Sequence, residues 1–135
     1  MKLISSESLK GVVSGITNIV GRMKKLPKWT QEGAIVGLQG GQDQILEQYE
    51  FLKSQGIPIK AVWMQDWVGT TRYEEGVRLN WNWQLNREYY PKWDEMVEKW
   101  STEDGVRPMV YMNPYFANLT GNPDIRRNLF KEADD

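Results

Sequence analysis

The sequence predicts an α/β protein built on a parallel sheet. Three observations carry this expectation. Short, nearly uninterrupted apolar runs at 34–38, 59–64 and 108–112 alternate with longer stretches whose apolar residues recur at helical spacing. Gly or Pro punctuates the junctions, at Gly40-Gly41, at Gly56 with Pro58, and at Gly105. Runs without polar alternation belong to sheets covered on both sides, so both sheet faces are expected to be buried.

Each element has its own reason. Residues 9–23 place Leu9, Val12, Val13, Ile16, Ile19, Val20 and Met23 on one helical face. Gly11, Gly15 and Gly21 weaken that helix by about 1 kcal/mol each relative to Ala, which implies close packing against something absent from this chain. The basic cluster Arg22, Lys24 and Lys25 suits a helix C-terminus and stands just before Pro27. After the first strand, residues 43–55 align Ile45, Leu46, Tyr49 and Leu52, and Gly56 and Pro58 stop them. The second strand leads into a polar and aromatic segment, 65–90. A helix over 91–102 turns Trp93, Met96, Val97 and Trp100 inward, and Gly105 ends it. The third strand follows, and residues 123–133 read as a last helix.

Composition narrows the chemistry. The chain has 135 residues, enough for one domain, and a net charge of −1. That charge offers no attraction to nucleic acid or to an anionic membrane. With no Cys and no His, there is no disulfide framework, no thiolate nucleophile, no Ser-His-Asp triad and no His-based zinc site. No cofactor and no metal are expected. No apolar run approaches the roughly 20 residues that span a bilayer. Ser5, Ser6, Glu7, Ser8 and Lys10 break up any leader, so a cytoplasmic location is expected. Asn118-Leu119-Thr120 then reads as a chance glycosylation sequon.

The distinctive polar residues cluster just past the strand ends: Gln39, then Gln65 and Asp66, then Asn113. That edge is where α/β proteins bind ligands, although strand ends also need polar residues simply to begin loops. The segment after the second strand is far longer than the usual 2–6 residues and is too aromatic for a solvated coil. It reads "WMQDWVGTTRYEEGVRLNWNW" from Trp63 to Trp83, with four of the chain's seven tryptophans. Trp83 and the tyrosines are expected to pack the segment down as a satellite core. Flat rings interleaved with amide, carboxylate and guanidinium groups also suit a sugar, the rings taking C–H faces and the polar groups taking hydroxyls. By composition alone the same mixture fits a protein interface, and a lone Arg78 reads as a surface residue.

The combination is more specific than its parts. "LPKWTQEGAIVGLQGG", "AVWMQDWVG", "VRLNWNW", "YYPKWDEMVEKW" and "VYMNPY", in this order and spacing, resemble the start of the catalytic barrel of glycoside hydrolase family 31. Within that family they are similar to the sulfoquinovosidases, which hydrolyse α-glycosides of 6-sulfonated glucose. The resemblance implies a partial TIM (β/α)8 barrel: about three βα units over residues 26–135, preceded by an amphipathic helix in residues 1–25. Of the sulfoquinovosidase residue set written QQRWY, it maps Gln39, Gln65, Arg78 and Trp81 as substrate-binding residues. The tyrosine has no counterpart here. Asp66 matches a family aspartate that resembles a glycone-hydroxyl ligand and is not the nucleophile.

The physical reading agrees with that mapping. A sulfonate is a permanent anion, costly to place in a sugar pocket without a partner. A guanidinium offers paired donors, and an indole N–H is a donor that never competes for a proton. No catalytic residue is expected in this chain, since the family's two catalytic aspartates belong to later strands. Glu74, Glu75, Asp94 and Glu95 are poor substitutes, the first pair in a loop and the second at a helix start. The expected partners are therefore a sulfoquinovoside and the remainder of the barrel, with the chain alone inactive. Two alternatives stay open: a family 31 α-glucosidase of other specificity, and a non-catalytic carbohydrate-binding or interaction module.

Overall fold

The computed structural model describes residues 3–116, 118–119 and 127–134. Its centre is a three-stranded parallel sheet in the order β1 (Ala34–Leu38), β2 (Ile59–Met64), β5 (Arg107–Val110). Helix α2 (Gly41–Ser54) connects β1 to β2, and α3 (Trp93–Thr102) precedes β5. These are the elements the sequence predicts, with ends shifted by a few residues. A short antiparallel hairpin, β3 (Thr70–Tyr73) and β4 (Gly76–Leu79), stands inside the long segment after β2. Helix α4 (Leu129–Asp134) covers the end of the expected 123–133 helix, whose beginning lies outside the described residues, as does Thr120 of the sequon.

Helices α2 and α3 pack on one side of the sheet, and the other side is open at its centre although Ala61 on it is buried. Register pairs Gly37 with Trp63 and Trp63 with Met109, and side chains two apart along a strand share a face. Val36, Leu38, Val62 and Met64 therefore point one way, and there they meet Ile45 and Tyr49 of α2 and Met96 and Trp100 of α3. Ile35, Trp63 and Met109 point the other way and remain exposed. This corrects the expectation that both faces are buried. Apolar runs identify strands with two apolar faces, and here just one of those faces has helices packed on it.

Helix α1 (Leu9–Val20) also departs from expectation. Ser8 caps it, its hydroxyl accepting from the Gly11 N–H at 3.1 Å. None of its residues is buried. Its glycines admit the preceding segment: a Cβ on Gly15 would stand 2.5 Å from Ile4 Cγ2, and one on Gly11 1.9 Å from Ser6 Oγ. The close neighbour is thus not something absent from the chain but residues 4–6 folded back along the helix.

One ion pair ties the end of α2 to the turn before β5. Lys53 Nζ donates to Asp104 Oδ1 at 2.8 Å, beside Tyr49, whose phenol burial pushes up to about 12. The bond from Lys53 holds the Asp104 carboxyl below its ordinary value, and the same bond raises Lys53. A depressed carboxyl contributes stability that is present above its unfolded value and lost as pH falls through its folded one. Asp104→Asn is therefore expected to cost stability near neutral pH. The gap to wild type should close as pH falls below the ordinary carboxylate range. Urea midpoints of both proteins along an acid series check this, and a constant gap would contradict it.

Candidate functional site

The site grows from the C-terminal edge of the sheet. The Gln65 N–H donates to Leu38 O at 3.2 Å, extending the β1–β2 ladder one step past its last pair. Gln39 and Gln65 thus follow adjacent strand ends. By the period of two they fall on the open face that carries Gly37 and Trp63, and Asp66 falls on the buried one. Gln39, Gln65, Asp66 and Arg78 line a single open hollow of about 730 Å³, together with Trp63, Thr70, Tyr89, Gln44 and Gln48. That size suits a small organic ligand.

Asp66 is 3% exposed, and the chain itself occupies its carboxylate. Oδ2 accepts from the Gly40 N–H at 2.6 Å and from the Gly41 N–H at 3.1 Å. Oδ1 accepts from the Tyr90 hydroxyl. Burial, then this bond to Asp66, pushes the Tyr90 phenol far above its ordinary value, so it stays a donor at any working pH. The two N–H groups open α2, where the helix field favours a negative charge. The turn requires glycine: φ is +116° at Gly40 and +79° at Gly41, and a Cβ on Gly40 would stand 1.8 Å from Gln44 Oε1.

Among the described residues, Arg78 is the one basic residue lining the hollow. It projects from β4 opposite Thr71, its side chain 66% exposed, with Glu75 Oε2 at 3.8 Å and the Tyr73 ring 5.6 Å away. An exposed pair at that distance holds a guanidinium only weakly. With the Asp66 charge answered by three donors, the exposed charge lining the hollow is positive.

In fold, 76% of the chain superposes on "A GH31 family sulfoquinovosidase from E. rectale in complex with aza-sugar inhibitor IFGSQ", with a TM-score of 0.67 and 31% identity, over 15% of that protein. In sequence, 103 residues, 76% of the chain, are 35% identical to the sulfoquinovosidase of Escherichia coli (strain K12). A further alignment of 115 residues, 85% of the chain, is 31% identical to the sulfoquinovosidase of Agrobacterium fabrum (strain C58 / ATCC 33970). Over this stretch the chain is homologous to sulfoquinovosidases, and the solved one is a member of glycoside hydrolase family 31. The chain spans 15% and 17% of the length of those two relatives. No protein-family model matches it.

Trp81 stands apart from the other four predicted residues. It does not line the hollow. Its backbone is left-handed, φ +38°, and its ring meets Tyr111 edge-on at 5.1 Å between centroids. Tyr111 in turn meets Trp63 at 5.5 Å, so Trp81 reaches the hollow's wall through one intervening ring. The other rings of the long segment fix its path. Trp67 Nε1 donates to Tyr111 O at 2.7 Å and Trp83 Nε1 to Asn113 O at 2.9 Å. Tyr90 is buried edge-on against Trp93. Gln42 Oε1 accepts from the Lys92 N–H at 2.8 Å, which joins the start of α2 to the start of α3.

Sequence reasoning missed Gln44 and Gln48. They lie four apart on α2, on the flank of its apolar stripe, and face the hollow. The run "GGQDQILEQ" carried a signal: three glutamines in the first two turns of a helix that begins at a ligand-binding edge.

Proposed function

We propose that the chain forms the first three βα units of a family 31 (β/α)8 barrel and supplies the sulfonate-reading side of its sugar pocket. The carrying observation is the convergence of Gln39, Gln65 and Arg78 on one hollow at the C-terminal edge of the sheet. A parallel sheet with helices on one face and an apolar open face is what a barrel wall requires, the open face turned to the interior. Residues 1–25 lead into that wall.

In this reading a 6-sulfonated glucose lies against Trp63. Gln39 and Gln65 offer amide donors and acceptors to its hydroxyls, and Arg78 meets the sulfonate. Trp81 supports the anion end from beside Tyr111. Retaining glycosidases need two carboxyl groups about 5–5.5 Å apart. Among the described residues the hollow has one, Asp66, and its oxygens are already bonded. This segment therefore binds and orients the sugar, and bond cleavage belongs to carboxylates on other strands of the barrel.

Sulfoquinovose is expected to change the tryptophan emission of the chain saturably, because Trp63 lines the hollow. Glucose at equal concentration should do so less. A flat titration up to about 10 mM would overturn the reading, since even millimolar affinity corresponds to about −4 kcal/mol. A non-catalytic sugar-binding module would respond to both sugars alike.

A further inference from the structure

We propose that Asp66 is a positioning residue, not a sugar ligand. Together with Tyr90 it locks the Gly40-Gly41 turn and so sets where Gln39 is presented. The inference rests on the sugar-pocket reading above and deepens it. Asp66 borders the hollow, yet its carboxylate is buried and receives three bonds from the chain: the Gly40 N–H, the Gly41 N–H and the Tyr90 hydroxyl. A direct ligand needs lone pairs free and facing the cavity, and three of the roughly four acceptor sites of this carboxylate are already taken. The residue held by those bonds is the next thing along the chain from Gln39. Gly40 and Gly41 both have left-handed backbones, and a turn of two such residues has no side chains of its own to fix it. The bonds to Asp66 replace what side-chain packing would otherwise supply.

Tyr90 makes the inference testable. Its ring is fully buried in the core and does not line the hollow, so its hydroxyl acts on a bound sugar only through Asp66. Tyr90→Phe keeps the ring and removes one bond. Sulfoquinovose affinity is measured for wild type, Tyr90→Phe, Gln39→Ala and the double variant, alongside amide exchange of the 38–42 segment in wild type and Tyr90→Phe. Tyr90→Phe is expected to speed exchange at Gly40 and Gly41 and to weaken binding about fivefold, the worth of one hydrogen bond. In the Gln39→Ala background the same change should cost less than about twofold, because the group being positioned is gone.

Independent effects in the cycle, or unchanged exchange at the glycines, would overturn the inference. So would a Tyr90→Phe that binds like wild type while Asp66→Asn loses binding, which marks Asp66 as a direct ligand. Those outcomes leave the sugar-pocket reading standing. A wild-type chain that takes no sulfoquinovose brings down both.

Discussion

Trp100→Ala is expected to lower the unfolding free energy by about 3–5 kcal/mol, the range for emptying a buried indole site. Domains of this size hold about 5–15 kcal/mol in total, so this one change removes much of the fold's margin. Trp100 is 1% exposed and meets Tyr49 at 5.2 Å between ring centroids, between α3 and α2 on the covered face of the sheet. Trp63 provides the contrast within the same molecule. It is 39% exposed on the other face, and Trp63→Ala should cost well under half as much. Urea unfolding of the two variants side by side reads the difference. Equal losses would mean that the open face is as much a core as the covered one, and the barrel-wall reading would lose its physical basis.

Arg78→Ala is the second change of large expected effect. A charge-assisted hydrogen bond contributes roughly 1.5–3 kcal/mol, and two prongs on a sulfonate would double that in a dry pocket. Arg78 is not in a dry pocket: its side chain is 66% exposed on a two-stranded ribbon. Solvent screening pulls the expected loss to about 1.5–3 kcal/mol, ten- to a hundredfold in sulfoquinovose affinity. Arg78→Lys should recover only part of it, because an ammonium cannot make the planar two-pronged contact.

How far the sequence discloses all this depends on the kind of information each feature carries. The three parallel strands and the helices between them were legible, because apolar runs and Gly or Pro punctuation report local structure directly. The open sheet face was not legible. Ile35, Trp63 and Met109 are as apolar as Val36, Val62 and Met64, and residue type does not say which neighbours are present. The hairpin of β3 and β4 was missed beneath the aromatic content of its segment. Its sequence signal was slight, the β-branched pair Thr70-Thr71 and Gly76; the structure turns at Glu74-Glu75, with Gly76 at φ +133°.

At the site, motif resemblance selected Gln39, Gln65, Asp66 and Arg78, and the structure places all four at one hollow. It could not separate Asp66 from the rest. That distinction lies in the alternation of strand faces and in the Tyr90 hydroxyl, a partner 24 positions away in sequence. Nor did it indicate that Trp81 would turn to Tyr111, which follows from a left-handed backbone at a residue that rarely adopts one.

The claim that this segment reads a sulfonated sugar is tested most directly by four affinities: sulfoquinovose and glucose, each with wild type and Arg78→Ala. Wild type is expected to prefer sulfoquinovose. Arg78→Ala is expected to abolish the preference by weakening sulfoquinovose about ten- to a hundredfold while leaving glucose within about twofold. If both sugars weaken by the same factor, Arg78 holds the β3–β4 hairpin in place and reads no sulfonate, and the central claim is wrong.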